Sequence, residues 1–319
     1  RNDLIYFSVN NENYYYDLFE IRLIVTQNFS RGRFFGDIRG YIDPGDSVFE
    51  FENFTQPDSP RLMRCFWKIY SGSGDITFGK TYITFGNPGI FNIFDMDKQV
   101  NLTDLSYDKE GIFAAAGYIP LNKMSGIKTY ISGDITGEAG VSIFSNFKSF
   151  DYGAVINRIN PDINIVGIYF KGDIEIGING SWGIHFNDKF DDYFHEANLG
   201  FDYSYKKLIF GTEFYYNEAG AVEPENYFLN EIPNTYFNAR NYMYNSIVLA
   251  YDEFLSFSLN NFTNLNDNSS IVTLGCDYTL SNNLLLNLQT GFLTGTGNDE
   301  FSRELTGNLT ALIRIEFKF

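Results

Sequence analysis

The segment "LTGNLTALIRIEFKF" alternates. Leu305, Gly307, Leu309, Ala311, Ile313, Ile315, Phe317 and Phe319 fall on one side of an extended chain, while Thr306, Asn308, Thr310, Leu312, Arg314, Glu316 and Lys318 fall on the other. The same period of two recurs almost everywhere. Phe19, Ile21, Leu23 and Val25 oppose Glu20, Arg22, Ile24 and Thr26; Ile176, Ile178, Trp182 and Ile184 oppose Glu175, Asn179, Ser181 and His185. A chain written this way can only bury one face of each segment as a strand, so it excludes helical folds. No apolar run approaches the ~20 residues of a bilayer-crossing helix.

Short polar turns punctuate the alternation: 30–33, 71–75, 171–173, 205–207, 251–253 and 281–283. The pattern predicts about eighteen strands, over 3–9, 18–29, 33–42, 61–70, 75–84, 111–119, 126–134, 139–148, 151–158, 163–171, 173–186, 193–205, 207–217, 236–251, 253–262, 268–280, 282–293 and 303–319. If the segments around 139–158 merge, the count is sixteen. The tight turns then share one end with both termini, and the longer loops share the other; "VFEFENF" at 48–54 belongs to one of these loops. Residues 1–319 read as one domain.

Composition narrows the function classes. The net charge of −17 opposes nucleic acid and anionic surfaces, which need clustered Lys and Arg. Cys65 and Cys276 both side with apolar residues, and with only two histidines there is no ligand spacing for a metal, so no cofactor is expected. His185 falls on the polar face and His195 near a strand start; both read as satisfied polar side chains rather than catalysts. Aromatics reach 18%. Tyr14, Tyr15, Tyr16, Tyr203, Tyr205, Tyr215, Tyr216, Tyr242 and Tyr244 suit interfacial girdles, where an apolar ring carries a polar tip.

A soluble β-sandwich also alternates. Its strands, however, typically run ~5–6 residues, shorter than many here, and a sheet of this many strands removes its edges only by closing into a barrel. The reading is an all-β, antiparallel up-and-down transmembrane barrel.

The terminal strand ending on Phe319, with Phe317, Ile315, Ile313 and Ala311 at every second position before it, resembles the assembly signal of bacterial outer-membrane barrel proteins. Within that class the chain resembles the sixteen- and eighteen-stranded porins. "GK" at 79–80 followed by "GNP" at 86–88 is similar to a motif of substrate-selective porins, although the tryptophan often beside that glycine is absent. The resemblance implies an outer-membrane location, contact with outer-membrane lipid, recognition by the barrel-assembly machinery, a homotrimer, and passive diffusion of small hydrophilic solutes and ions through a lumen narrowed by an inward-folded loop, here residues 85–111.

Strand parity then assigns the lumen wall. Arg22, Arg39, Arg64, Lys68 and Lys80 would form a basic patch, and the loop offers Asp95, Asp97, Asp104, Asp108 and Glu110 across from it, giving a transverse field in a water-filled gap. A structural or adhesin barrel is the second reading and a phospholipase-like barrel enzyme the third. The latter needs a nucleophile and base meeting on the lipid-side face, and His185 points the other way.

Overall fold

The computed structural model describes residues 2–9, 12–42, 60–86, 89–94, 110–133, 137–160, 163–187, 192–227, 238–303 and 309–318. Among the described residues eighteen strands follow one another: β1 (Asn2–Val9), β2 (Glu12–Phe29), β3 (Gly32–Ile42), β4 (Arg61–Ser71), β5 (Gly74–Thr81), β6 (Ile112–Pro120), β7 (Ser125–Ser132), β8 (Ala139–Phe147) and β9 (Phe150–Asn160) form the first half. The second half is β10 (Ile163–Asp173), β11 (Gly177–Phe186), β12 (Tyr193–Tyr205), β13 (Leu208–Asn217), β14 (Asn241–Ala250), β15 (Leu255–Asn264), β16 (Ser270–Ser281), β17 (Leu284–Leu293) and β18 (Leu309–Phe317). Each strand is antiparallel to its chain neighbours. β1 also pairs with β18 over seven positions, from Asn2 opposite Ile315 to Ser8 opposite Leu309.

Turns of two to four residues join the strands at one end of the sheet. Lys148 and Lys206 take φ of 57° and 55° there, the left-handed backbone that lets a two-residue hairpin follow the twist of its strands. The Lys148 turn is why β8 and β9 stay separate. At the other end connections are long, except at 10–11 and 161–162. β2 starts at Glu12 rather than 18, because Tyr14, Tyr15 and Tyr16 continue the ladder to β1. The "VFEFENF" stretch lies outside the described residues.

The two faces differ as the alternation demands. One carries large apolar side chains left open, among them Leu23, Ile143, Ile156 and Ile168 at 50–62% exposure. In water each would forfeit about 1–2 kcal/mol of burial, so this face belongs against an apolar medium. The other carries buried polar groups, including Glu20, Asp37, Arg39, His185, Glu196 and Glu213. Cys65 and Cys276 are free thiols in register with the open face, opposite Gly36 and Phe257.

Candidate functional site

Asp37 on β3 organises the basic wall. It is fully buried, and Arg22 on β2 grips it with both ends of the guanidinium, Nε to Oδ1 at 2.8 Å and Nη2 to Oδ2 at 2.6 Å. Arg64 on β4 reaches the same carboxylate at 3.3 Å. Their side chains stay 34% and 25% exposed, so two cations share one anion and an excess of positive charge faces the enclosed space. Arg64 also lies 4.7 Å over the rings of Phe35 and Tyr82, which fixes its plane. Arg39 sits opposite Arg22 in register and is buried against Glu20 at 3.5 Å. A register shift holds this group together: Asp37 pairs with Arg64 but Ile38 pairs with Leu62, leaving Met63 as the extra, buried residue of a bulge.

The sequence missed two members. Arg33 lies opposite Lys68 and over the Phe35 ring, and Arg61 opposite Arg39. Arg33 occupies a position that strand parity alone makes available, whereas Arg61 shares the face only because of the bulge.

Two expected placements are corrected. Lys80 is not on the basic wall: it pairs with Cys65 and Phe113, in register with the open face that carries Trp67 and Phe78, and its ammonium lies 5.6 Å from the Phe113 ring. Glu110 does not face the wall from across the space, because Gly111 N–H donates to Met63 O at 3.0 Å and ties it beside β4. There Glu110 binds Arg61 and Lys80. Lys68 lies nearer the tight-turn end and pairs with Asp75 at 3.0 Å. Asp95, Asp97, Asp104, Asp108 and Phe319 lie outside the described residues; Phe317 lies on the open face of β18.

The segment after β5 supplies the other half of the site. Phe91, Ile93 and Phe94 are fully buried although they lie in no strand. Phe91 stacks on Tyr215 of β13 at 4.7 Å and meets Phe262 of β15; Phe94 lies edge-on to Tyr169 of β10; Phe85 packs on Tyr130 of β7. One short segment touches strands from β7 to β15, which requires that it cross the enclosed side of the sheet. Glu213 of β13 holds it there, accepting Ile90 N–H at 2.8 Å, Phe91 N–H at 3.1 Å and the Asn198 amide at 2.6 Å. Gly86 is needed: its φ is +77°, and a Cβ there would lie 2.6 Å from the Phe94 ring.

Beside this clip, His185 bonds Glu196 at 2.5 Å and stacks on Phe194, and Tyr215 donates to Glu196 at 2.6 Å. Tyr215 and Tyr242 are therefore interior residues, not girdle residues. Tyr203 and Tyr205, by contrast, are exposed at the tight-turn end. His195 stacks on Trp182 of the open face at 5.6 Å. Among the described residues no group of three or more His, Cys, Asp or Glu could hold a metal.

No protein-family model matches the chain, and no curated protein matches it by sequence. Solved structures do. OccAB4 of Acinetobacter baumannii is similar with a TM-score of 0.65 at 11% identity, over 99% of this chain and 95% of that one. A BenF-like porin from Pseudomonas fluorescens Pf-5 gives 0.65 at 8%, covering 99% and 96%. The outer membrane protein OprD from Pseudomonas aeruginosa gives 0.61 at 8%, covering 99% and 90%. The fold of the sheet is thus that of the outer-membrane porins. More particularly, it is the fold of OprD and OccAB4, shared across nearly the whole chain.

Proposed function

We propose that the chain is an outer-membrane porin, a closed eighteen-stranded barrel whose buried face lines a water-filled lumen and whose open face meets lipid. Barrels of this size leave an aqueous channel unless something fills them. The segment anchored by Phe91 and Glu213 crosses the lumen and narrows it, and the pair Arg22 and Arg64 on Asp37 lines the opposite wall. The crossing segment carries the reading, because a structural barrel has no use for a rigid strap pinned to its far wall by a buried carboxylate.

The solutes that suit the wall are small and hydrophilic. Guanidiniums held in plane and partly open can replace the hydration of a polar or anionic group, whereas an apolar solute loses water without compensation. Barrel-assembly machinery and a homotrimeric state belong to this reading, and catalysis does not. Stepwise currents from the purified protein in planar bilayers, with a sharp solute size limit, are the expected result; a heat-modifiable barrel without conductance would leave only a structural role.

A further inference from the structure

Charge is divided between the two ends of the sheet. The tight turns carry Arg31, Lys123, Lys148, Lys206 and Lys207 against Glu175, Asp252 and Glu253. The connections at the other end are acidic in sequence: 43–60 holds Asp43, Asp46, Glu50, Glu52 and Asp58, and neither Lys nor Arg. A basic rim in a chain of −17 is a local feature, so the overall charge that opposes anionic surfaces does not describe this end. All five cations are exposed. Among the described residues none of them forms an ion pair, whereas Lys68 and Lys318 nearby do.

Three of the lysines lean toward the open face. Lys148 Nζ lies 5.3 Å from the centre of the Phe147 ring, Lys206 Nζ 5.2 Å from that of Tyr205, and Lys207 Nζ 5.3 Å from that of Tyr251. Phe147 shares its face of β8 with Ile143, and Tyr205 its face of β12 with Phe201; these rings are exposed, as is Tyr251. Each ring ends the apolar belt and carries a cation at its tip. A ring face attracts the charge without accepting a full hydrogen bond, so the ammoniums of Lys148 and Lys206 keep their donors for another acceptor. Lys207 gives one to Tyr251 O. Arg31 and Lys123 follow the same plan, coming just after exposed Phe29 and exposed Leu121 in the chain.

We infer that the tight-turn rim binds the headgroups of anionic phospholipids, the lysine ammoniums meeting the phosphodiester while the rings beside them reach the acyl region. This rests on the barrel reading and names the lipid that its turn end selects. The occupant follows from place and charge together. A cation level with the end of the apolar belt lies at headgroup depth, where phosphate is the acceptor within reach. A zwitterionic headgroup also carries its own ammonium, which repels the lysine. An anionic one does not, and each lysine near an anionic surface contributes about a fivefold preference. Of the rim acids, Asp252 is committed to its own turn, its Oδ1 accepting the N–H groups of Phe254 and Leu255 at 2.8 Å each. The acidic connections at the other end would be repelled by the same surface, so the two ends differ in the lipid they accept.

The test is native mass spectrometry of the full chain in detergent micelles with equal amounts of phosphatidylglycerol and phosphatidylcholine. It compares the wild type with a variant carrying Lys148→Gln, Lys206→Gln and Lys207→Gln. The wild type should retain phosphatidylglycerol about fivefold or more over phosphatidylcholine, and the variant should retain the two about equally. Arg at the same three positions should keep the preference, and the heat-modifiable gel shift should be the same in all three proteins. Equal retention of both lipids by the wild type overturns the inference, as does a preference that survives the Gln replacements. Two competitors separate other sources of the same charge. Glycerol phosphate at the concentration of the lipid should displace nothing; displacement would make the rim a site for a soluble phosphate and overturn the membrane reading. Displacement by soluble acidic cell-wall fragments would overturn it too, by turning the rim toward a polymer on the water side. If the wild type lacks the heat-modifiable shift, the barrel reading itself has failed, a result distinct from all of these.

Discussion

At the scale of single residues, magnitude separates the cations of the wall. Arg22 and Arg64 share Asp37 and remain partly open, so replacing both by Gln leaves one carboxylate that water can reach. Arg39 and Glu20 are buried together at 1% and 3% exposure. Removing one partner of a buried pair costs about 3–5 kcal/mol, because the other charge stays behind uncompensated. The expected outcome is that Arg22→Gln with Arg64→Gln folds normally and moves the reversal potential in a salt gradient toward cation preference. Arg39→Gln alone should instead lower the unfolding midpoint, with recovery when Glu20→Gln is added. Unchanged selectivity in the double variant would mean that these guanidiniums do not face the ion path. Glu213 acts differently, since its carboxylate holds a strap. Each of its hydrogen bonds involves a charged group and contributes about 1.5–3 kcal/mol, so Glu213→Leu should release residues 90 and 91. Noisier open-channel current and a larger solute limit would report that release; an unaltered current would show the aromatic seat of Phe91 to be sufficient.

At the scale of elements, what the sequence revealed and what it hid have a common cause. Alternation is local, so strands such as β16 and β18 and the tight turns could be read from neighbouring residues. The strap could not, because Phe91 and Tyr215 are more than a hundred residues apart and nothing in either segment names the other. Tyr215 and Tyr242 were expected in girdles because alternation reports polarity and not enclosure. The start of β2 was hidden by three consecutive tyrosines, which break the period. The loop end contains a further device of this non-local kind. Glu300, between β17 and β18, accepts Asn238 N–H at 3.0 Å, the Tyr242 hydroxyl at 2.5 Å and the Asn264 amide at 2.9 Å, while Asp267 accepts Glu300 N–H at 2.9 Å. Tyr227 completes the cluster through Asn264. Burial, reinforced by the Asp267 charge, raises the Glu300 carboxyl from 4.5 to about 7, although the donors around it pull the other way. A carboxyl raised by folding favours the folded clasp when protonated. The contribution is fully present below pH 4.5 and is lost as pH rises through about 7. It amounts to no more than roughly 3–4 kcal/mol at about 1.4 kcal/mol per pH unit. The unfolding midpoint should therefore fall between pH 5 and pH 8 by more in the wild type than in Glu300→Gln, which keeps the neutral form throughout. Equal pH dependence would mean that the clasp does not titrate.

At the scale of the whole molecule, two fields of opposite sign act over different distances. The chain carries −17 overall, and in the proposed channel this long-range field would attract cations to the entrance. In that channel the positive charge at Arg22 and Arg64, which share Asp37, would be confined to one wall and act only on what passes within a few ångströms. Salt distinguishes them, because the screening length is about 10 Å at 0.1 M and about 3 Å at 1 M. The cation preference set by the whole chain should be largest in dilute salt and shrink as salt rises. The difference between wild type and the Arg22→Gln, Arg64→Gln variant should persist, since ions in the narrow part touch the wall inside either screening length. If the strap sets the size limit as proposed, that limit should not move with salt at all, because packed aromatic rings do not respond to screening. Measured together as reversal potential and solute exclusion from 0.1 to 1 M salt, these three responses separate the long-range field, the wall and the strap. If the variant's effect instead vanished in step with the overall preference, the guanidiniums would be acting from a distance and the path of the ions would lie away from Asp37.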